Sequence, residues 1–413
     1  MGATKPARLD LRSSRLRSPA IISFARGRPS SLTDGGRVFT IREVIRGNTF
    51  HLSLRNDEDI VTVAIKKIEN DVAAAVSEAM DLASYRDFLP KSSPVFLKVN
   101  LGWDLFLPGS VTNPAVFEAV VRKLKGHTAH LAVVESDQVL ENVEKAYAKS
   151  RISEIARSQG ISWINLSRQK LVMKAIPENR IIKNVPIPEI LTQGTILTLP
   201  VMKTHNKSAV TLSLKNQWGC IPKMRHMYHL VLNEAIADVN VALGVKFAVI
   251  DGTIGMEGNA PKTGIPREVG IVGAGNDLVE IDSVFARLMG LDPLAISHIV
   301  EAERRGLGKI GTGWVGDRLD PIRPFLPARH NIVSRWELFL RKSILSRLIF
   351  SPPIFLFMLL GSKLYYYSFD LTRGRRIRKA FLTHPLYGPY FRKAEGRGGA
   401  TERNGADVHR DQG

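Results

Sequence analysis

The sequence predicts an α/β fold: a mostly parallel sheet flanked by helices, followed by a C-terminal extension that is helical, apolar and basic. Short apolar runs rich in β-branched residues, such as PVFLKVNL (94–101), alternate with segments of helical spacing up to about residue 310. The composition, 44% hydrophobic and 23% charged, is that of a globular protein. An apolar segment bordered by arginines then follows residue 320.

The regions of the chain differ in pattern. Residues 1–36 are rich in arginine and lack a continuous apolar stretch, which predicts a disordered basic arm. Residues 37–93 predict a small N-terminal element of strands and a helix, and residues 94–320 the main α/β domain. Strands are expected at 94–101, 129–136, 160–167, 195–200, 245–252 and 267–275, and helices at 112–126, 139–159, 228–243, 277–291 and 292–308.

Residues 321–395 predict a Pro-rich linker and a membrane-interfacial segment, and residues 396–413 a disordered tail. The most apolar stretch, at 347–369, is broken by two prolines, and its uninterrupted apolar part of about 13 residues is shorter than the roughly 20 residues of a spanning helix. Arginines on both sides and three tyrosines at its edge are typical of a segment that lies in the membrane interface. Packing of this segment against the main domain or a partner subunit is the alternative.

The formal net charge of +19 is concentrated at the two ends of the chain. Residues 1–36 carry +5 and residues 321–413 carry +11, so the middle keeps only +3. This argues against a nucleic-acid groove in the main domain and for basic tails that contact an anionic surface. The single cysteine, Cys220, excludes an internal disulfide and indicates a reducing compartment, so we expect a cytoplasmic protein. The basic tails predict that it contacts a membrane peripherally.

Polar residues follow several of the predicted strands at their carboxyl ends, where ligands bind in such sheets. They are Lys98, Asn100, Glu135, Lys203, His205 and Asp251. Each alone has a structural explanation, such as a lysine on the outer face of an edge strand, but their joint occurrence favours a site. DGTIGMEGNAPKTG (251–264) predicts a glycine-rich loop that a ligand approaches closely, with a plain surface loop as the alternative.

Seven motifs in order resemble those of the domain of unknown function family 362, whose biochemical role is not established. They are LKVNL, TNP, VVES, LPVMKTH, TLSLKNQWG, MEGNAPKTG and NDLVEIDSVFARLMGLDP, within 94–310. The resemblance implies that the recurrent polar residues of the family are Lys98, Asn100, Glu135, Lys203, His205, Lys215, Asn216, Asp251, Glu257, Asp277 and Asp282. Some members carry iron–sulfur modules, but this chain lacks the cysteines, so no iron–sulfur cluster is expected.

Several lysines around one cleft repel one another unless carboxylates or an anionic ligand lie between them, so we expect an anionic small molecule or a lipid head group as ligand. The predicted catalytic residues are His205, Lys203 and Lys215, and the predicted substrate-binding residues are Lys98, Asn100, Asn216, Gly258 and Gly264. Glu135, Asp251, Glu257 and Asp282 could hold Mg²⁺ or Mn²⁺; for Asp282, a helix-start carboxylate is the alternative. An enzyme for a carboxylate or phosphate and a non-catalytic anion- or nucleotide-binding regulator both remain open.

Overall fold

The computed structural model describes residues 63–391 with gaps at 129, 139–140, 177–180 and 329–351, and the backbone of four strands before residue 63. Several predictions lie outside the described residues. They concern the basic arm at 1–36 apart from two of those strands, the tail at 396–413, and residues 329–351 of the linker and apolar segment.

The described strands are β1 (Ile21–Ile22), β2 (Ser30–Asp34), β3 (Arg37–Arg46), β4 (Thr49–Asn56), β5 (Val63–Lys67), β6 (Val95–Val99), β7 (Leu131–Glu135), β8 (Ser162–Asn165), β9 (Leu171–Ala175), β10 (Asn184–Pro188), β11 (Thr195–Leu199), β12 (Val201–His205), β13 (Ala209–Val210), β14 (Phe247–Glu257), β15 (Ile265–Gly275) and β16 (Gly313–Gly316). The described α-helices are α1 (Val72–Leu82), α2 (Tyr85–Phe88), α3 (Pro114–Lys125), α4 (Val143–Lys149), α5 (Arg151–Ser158), α6 (Leu212–Asn216), α7 (Leu232–Leu243), α8 (Leu278–Leu288), α9 (Ser297–Arg304), α10 (Pro352–Phe369), α11 (Arg375–Leu382) and α12 (Gly388–Phe391).

The central sheet is parallel in the order β8-β7-β6-β11-β14 and becomes antiparallel at β15 and β5, which confirms the predicted fold class. The chain moves outward from β6 through β7 to β8, and then returns to the other side of β6 to form β11 and β14. The direction of winding therefore reverses between β6 and β11. In doubly wound sheets, such a reversal opens a crevice at the carboxyl ends of the two strands, and ligands bind there.

Helices cover both faces of the sheet because its central strands are buried on both sides. Leu97 and Val99 of β6 pack with α1, α3 and α5 in one hydrophobic cluster. Ala248 and Ile250 of β14 pack with α7, α8 and α9 in another, on the opposite face. All five residues of β6 are buried, Lys98 among them. A lysine in the middle of such a strand needs a specific partner.

The predicted glycine-rich loop is wrong for half of its length, because residues 251–257 belong to β14, which runs past the carboxyl edge of the sheet and pairs with β15. The glycines allow close packing of backbone: a Cβ at Gly255 would lie 2.8 Å from the Met202 carbonyl oxygen. Only the tip of the hairpin, at 258–264, joins the two strands, and Gly258 there has a φ of +75°.

The C-terminal helices pack on the loop that follows β6. The Tyr366 ring of α10 meets the Trp103 ring edge to face at 5.5 Å, and Lys262 Nζ lies over both rings. Phe369 and Ile377 contact a small cluster around Leu107. The predicted helical character of the extension is confirmed. In the part of the chain that the structure describes, no helix has both the length and the apolar character needed to cross a membrane.

Candidate functional site

Thr112 joins the carboxyl ends of β6 and β11, where the direction of winding reverses. Its hydroxyl donates to the Leu199 carbonyl at the end of β11 (2.7 Å) and accepts from the Asn100 N–H just past β6 (2.8 Å). Thr112 precedes Asn113, which caps α3 by accepting from the Ala115 N–H. The sequence TNP therefore begins a helix and joins the two strand ends at the same time.

Lys98 forms a buried ion pair with Glu135 across β6 and β7. Its ammonium lies 2.8 Å from Glu135 Oε2 and also donates to the Val99 carbonyl. Glu135 further accepts from the N–H groups of Leu101 and Ser136. Both charged side chains are fully enclosed, so each neutralises the other and neither is available as a free charge.

Gly219 packs directly on this ion pair. A Cβ at this position would lie 2.6 Å from Glu135 Oε1 and 2.9 Å from Lys98 Nζ. The turn after α6 can approach the two charged groups only because Gly219 has no side chain.

Lys203 of β12 belongs to a hydrogen-bond network that includes Asn100, just past β6, and Asn216 of α6. Its ammonium donates to Asn100 Oδ1 (2.8 Å) and to the Ser110 carbonyl (2.6 Å). Asn100 Nδ2 donates to Asn216 Oδ1 (2.9 Å), and Asn216 donates to Thr198 Oγ1 (2.8 Å). Both acceptors of Lys203 are neutral. Burial, reinforced by the nearby charge of Lys215, lowers the pKa of Lys203 to about 7.

Lys215 is carried by α6, next to Asn216. It is partly exposed, and we find no hydrogen-bond acceptor for its ammonium among the described residues. Burial lowers the pKa of Lys215 to about 7, assisted by the positive charges of Arg225, Lys98 and Lys207.

Asp282 of α8 fixes the position of α6. Its carboxylate accepts from the N–H of Ser213 (2.8 Å), the N–H of Leu214 (2.9 Å) and the Ser213 hydroxyl. Burial raises the pKa of Asp282 to about 7, although these three donors oppose the shift. Leu212 begins α6 with a φ of +42°, a conformation that is strained for a leucine. The alternative considered for Asp282, a carboxylate at a helix start, describes its contacts well, except that the helix is α6 rather than its own.

His205 ends β12 and faces the same group of cations. Its Nδ1 accepts from the Lys207 N–H at 3.1 Å, so the proton of the neutral ring lies on Nε2. Burial, together with the charges of Lys215 and Lys203, holds the pKa of His205 well below its ordinary value. The ring is therefore a neutral hydrogen-bond donor near pH 7 and is not an imidazolium.

Arg225 was not singled out from the sequence, yet its guanidinium is buried beside the ion pair. It donates to Ser136 Oγ (3.1 Å), to the Asp137 carbonyl (2.9 Å) and to the Ile221 carbonyl. Burial lowers the pKa of Arg225 to about 10. No periodic pattern in MRHMYH marks Arg225 as a site residue. Two of its contacts, Ser136 and Asp137, follow a strand that lies some 90 residues earlier in the chain.

His298 of α9 was also missed. Its ring is fully buried, and neither ring nitrogen has a hydrogen-bond partner among the residues that the structure describes. Burial and the charge of Lys215 lower the pKa of His298 to about 3, so the ring is neutral. Its position between two apolar residues, Ile296 and Ile299, resembles that of an ordinary core residue.

The predicted site residue Asp251 lies close to this cluster but has its own structural partners. Its carboxylate accepts from the Asn113 N–H (2.7 Å) and from the N–H and hydroxyl of Thr253 (3.0 and 2.6 Å). Burial raises the pKa of Asp251, and these bonds limit the rise. Asp251 thus anchors the start of α3 to β14.

Glu257 ends β14 and contacts arginines rather than the lysines of the site. It pairs with Arg323 (2.7 Å) and Arg267 (3.5 Å) and accepts from the Leu326 N–H (3.1 Å). Gly258 accepts from the Thr204 hydroxyl at 2.8 Å.

Gly264 is also in this hairpin and is packed against a side chain: a Cβ there would meet Met256 at 2.5 Å. The hairpin thus accounts for both glycines: Gly258 has a positive φ, and Gly264 packs closely on Met256.

The four carboxylates predicted to bind a metal do not come together. Glu135, Asp251, Glu257 and Asp282 each bind a different set of protein donors. In the described ranges, no group of three or more His, Cys, Asp or Glu side chains has an arrangement that could hold a metal ion. The donor set does not fit Mg²⁺ or Mn²⁺, because a hard cation needs several oxygens that converge on one point.

Two comparisons with known proteins bear on this region. The model of the family described as "Domain of unknown function (DUF362)" matches residues 95–287, a span that includes every predicted site residue. A stretch of 158 residues is 28% identical to the "Thylakoid-associated protein sll1697" of Synechocystis sp. (strain ATCC 27184 / PCC 6803 / Kazusa). That match covers 36% of this chain and 47% of the relative, so the chain spans about half the length of the relative that it matches.

Proposed function

Since the chain belongs, through residues 95–287, to the DUF362 family, whose description assigns no activity, we propose a function from the site itself: an enzyme that binds a small carboxylate or phosphate anion between Lys203 and Lys215. The observation that carries the proposal is an excess of buried positive charge at the crevice between β6 and β11.

The excess follows from the partners of each charged group. Lys98 is neutralised by Glu135, whereas Lys203 and Arg225 contact only neutral oxygens. Neither these two nor Lys215 forms a salt bridge with any described residue. Enclosed cations without counter-ions are unfavourable unless they lose a proton or receive an anion. The lowered pKa values of Lys203 and Lys215 indicate that the first outcome already competes near pH 7.

The donors left free at the crevice suit a small anion. The Lys203 ammonium uses two of its three protons on protein oxygens, so one remains. His205 presents Nε2–H, and Lys215 has no acceptor among the described residues. Three donors of this kind would bind a carboxylate or phosphate by charge-assisted hydrogen bonds.

Thermal unfolding of the full chain with inorganic phosphate, succinate or 2-oxoglutarate tests this proposal, with sodium chloride at equal ionic strength as the control. We expect one of these anions to raise the melting temperature of the protein, because a ligand of the folded state stabilises it. The Lys203→Met/Lys215→Met protein should lose that increase and keep its fold. An increase that survives in the double variant would overturn the assignment.

The alternative of a non-catalytic regulator shares this binding step and differs in the fate of the bound anion. A regulator would release the anion unchanged, whereas an enzyme would convert it. Lysines that titrate near neutrality favour the enzyme, because a group whose pKa lies near the working pH transfers protons efficiently. Mass spectrometry of the anion that stabilises the protein, after prolonged incubation, separates the two.

Action at a membrane surface is a second part of the proposal, and the exposed side of α10 supports it. Leu356, Leu360 and Leu364 are spaced by four residues and are all more than half exposed. Exposed arginines follow directly, at 373, 375 and 376. An apolar helix face beside basic residues suits the interface of an anionic bilayer. Co-sedimentation with phosphatidylglycerol vesicles is the direct test, and failure to co-sediment would remove this part.

A further inference from the structure

We propose that Lys215 is a nucleophile that forms an imine with a substrate whose carbonyl lies next to an anionic group, as in a 2-oxo acid. The proposal rests on the proposed anion site and names its substrate class and its reacting atom. It starts from a difference in surroundings between the two central lysines.

Lys203 and Lys215 have opposite environments although they lie close enough for each charge to affect the other. Lys203 is buried and donates to two oxygens, Asn100 Oδ1 and the Ser110 carbonyl, which stabilise its charged form. Lys215 is partly exposed and has no acceptor among the described residues, so no protein oxygen holds its charged form in place as the two acceptors of Lys203 do. When repulsion allows only one of the two to be protonated, the proton belongs on Lys203 and the free amine on Lys215.

Burial and the neighbouring cations favour the neutral amine of Lys215, and only the carboxylate of Glu135 among the neighbours named for it opposes them. The cations are Lys98, Lys203, Lys207 and Arg225, the neutral rings are His205 and His298, and the carboxylate is Glu135, which is already paired with Lys98. A lysine among other cations in a desolvated site is a known way to obtain a nucleophilic amine at neutral pH. An anionic group on the substrate would bring the electrophile to it.

The step balances with groups that the site contains. The neutral Nζ of Lys215 attacks the carbonyl carbon, a C–N bond forms, and the carbonyl π electrons move to oxygen. One proton passes from nitrogen to that oxygen. The Lys203 ammonium then donates a second proton, the hydroxyl leaves as water, and a protonated imine remains with Lys203 as a neutral amine. No oxidant or reductant is needed.

The remaining groups orient the substrate. His205 Nε2–H is positioned to donate to the substrate carboxylate, since Nδ1 is occupied by the Lys207 N–H. Asp282 holds the amino end of α6 and so sets the place of Lys215. Asp282 and Asn216 are positioning residues, because they act through α6 and through Asn100.

Trapping with sodium cyanoborohydride tests the proposal on the full chain. The protein is incubated with pyruvate, glyoxylate, oxaloacetate or 2-oxoglutarate and the reductant, and intact mass and peptide mapping locate the adduct. We expect one saturable adduct on Lys215 for at least one of these acids. In the Lys215→Arg protein that adduct should fall at least tenfold, whereas Lys174→Arg, which changes an exposed lysine of β9, should leave it unchanged.

Two outcomes would overturn the imine. One is equal labelling of the Lys215→Arg protein; the other is labelling spread over exposed lysines without preference for Lys215. Circular dichroism of the Lys215→Arg protein verifies that it is folded, and Lys203→Met provides a second variant, in which Lys215 remains but its labelling should slow. Phosphate stabilisation that depends on Lys203 without trapping at Lys215 would reject the imine and retain the anion site. Absence of both would reject both.

Discussion

Lys98 Nζ and Glu135 Oε2 lie 2.8 Å apart at the ends of two neighbouring parallel strands, and both side chains are sealed from solvent. The ion pair therefore exists without screening by water. Loss of one partner in such a pair leaves a buried charge without compensation, which costs much more than the pair itself contributes.

We expect Glu135→Gln to lower the free energy of unfolding by about 3–5 kcal/mol, because Lys98 then lacks its counter-ion. Urea denaturation followed by circular dichroism measures this. The double variant Lys98→Met/Glu135→Gln carries no buried charge at this place and should be more stable than Glu135→Gln alone. A double variant that is no more stable would show that the two residues are not coupled.

Gly219→Ala should disturb the ion pair between Lys98 and Glu135, because Gly219 packs directly on it. The new methyl group would come within 3 Å of both Glu135 Oε1 and Lys98 Nζ, so the turn after α6 must shift. A loss of about 1–3 kcal/mol is expected for such overpacking. Gly361→Ala is the matched control, since a Cβ at Gly361 in α10 meets nothing within 4 Å and should be neutral or slightly stabilising. Equal effects of the two changes would contradict the close packing.

Asp282→Asn tests whether α6 depends on a carboxylate from α8. The oxygen of the new amide can still accept from the Ser213 N–H, but its NH₂ group cannot accept from the Leu214 N–H. The buried Leu214 N–H then lacks an acceptor, which costs about 1–3 kcal/mol. We expect the melting-temperature increase with anion to fall although Lys215 is intact. Asp277→Asn alters a buried cap at the start of α8 itself and should lower stability while the anion response persists. Loss of the response in both proteins would mean that the effect is general unfolding.

Anion binding should weaken as the pH rises through neutrality. Lys203 and Lys215 have pKa values of about 7 in the folded protein, and their charged forms bind an unreactive anion such as phosphate, whereas the imine step uses the neutral amine of Lys215. The affinity, measured by calorimetry from pH 6 to pH 9, should fall above pH 7 by up to about tenfold per pH unit for each lysine that must be protonated. An affinity that stays constant over this range would contradict the assignment.

For the anion-free protein, the same two pKa values predict that the free energy of unfolding rises with pH above neutrality. The unfolded chain keeps both lysines protonated up to about pH 10, so between pH 7 and pH 10 the unfolded state binds more protons than the folded state. These lysines therefore make the free energy of unfolding rise with pH in that window. The Lys203→Met/Lys215→Met protein should lack this part of the pH dependence, and identical pH profiles would show that neither lysine titrates near neutrality.

The rule for parallel strands explains why part of the site could be predicted from the sequence. Lys98, Asn100, Glu135 and Lys203 were placed together because the carboxyl ends of parallel strands share one edge of the sheet. The structure brings these residues within one hydrogen-bonded network and an adjoining ion pair.

Tertiary packing explains what the sequence could not show. Arg225 and His298 contact or influence the site through helices whose orientation has no local signal. Glu257 was grouped with the other acids because β14 looked as if it ended at Asp251. The strand instead continues into a hairpin and carries Glu257 to Arg323, and a change from parallel to antiparallel pairing leaves no mark in hydrophobic periodicity.

The side of α10 that carries Leu356, Leu360 and Leu364 is exposed, and we expect it to contact the membrane. The opposite side of this helix is occupied: Tyr366 packs on Trp103, and Phe369 contacts the cluster around Leu107. Leu360 and Leu364 remain 53% and 73% exposed. We expect Leu360→Glu/Leu364→Glu to abolish co-sedimentation with phosphatidylglycerol vesicles, because charged side chains cannot enter the acyl region at low cost.

Leu294→Glu is the matched control, since Leu294 is 64% exposed but lies in the main domain. It should co-sediment like the unaltered protein. Arg375→Glu/Arg376→Glu should weaken binding to anionic vesicles by roughly fivefold or more for each arginine removed, at about 1 kcal/mol per basic residue, and should have little effect on binding to phosphatidylcholine. If the Leu360→Glu/Leu364→Glu protein still binds vesicles but changes from dimer to monomer in sedimentation velocity, the leucines form a contact between two copies of the chain, and the membrane assignment fails.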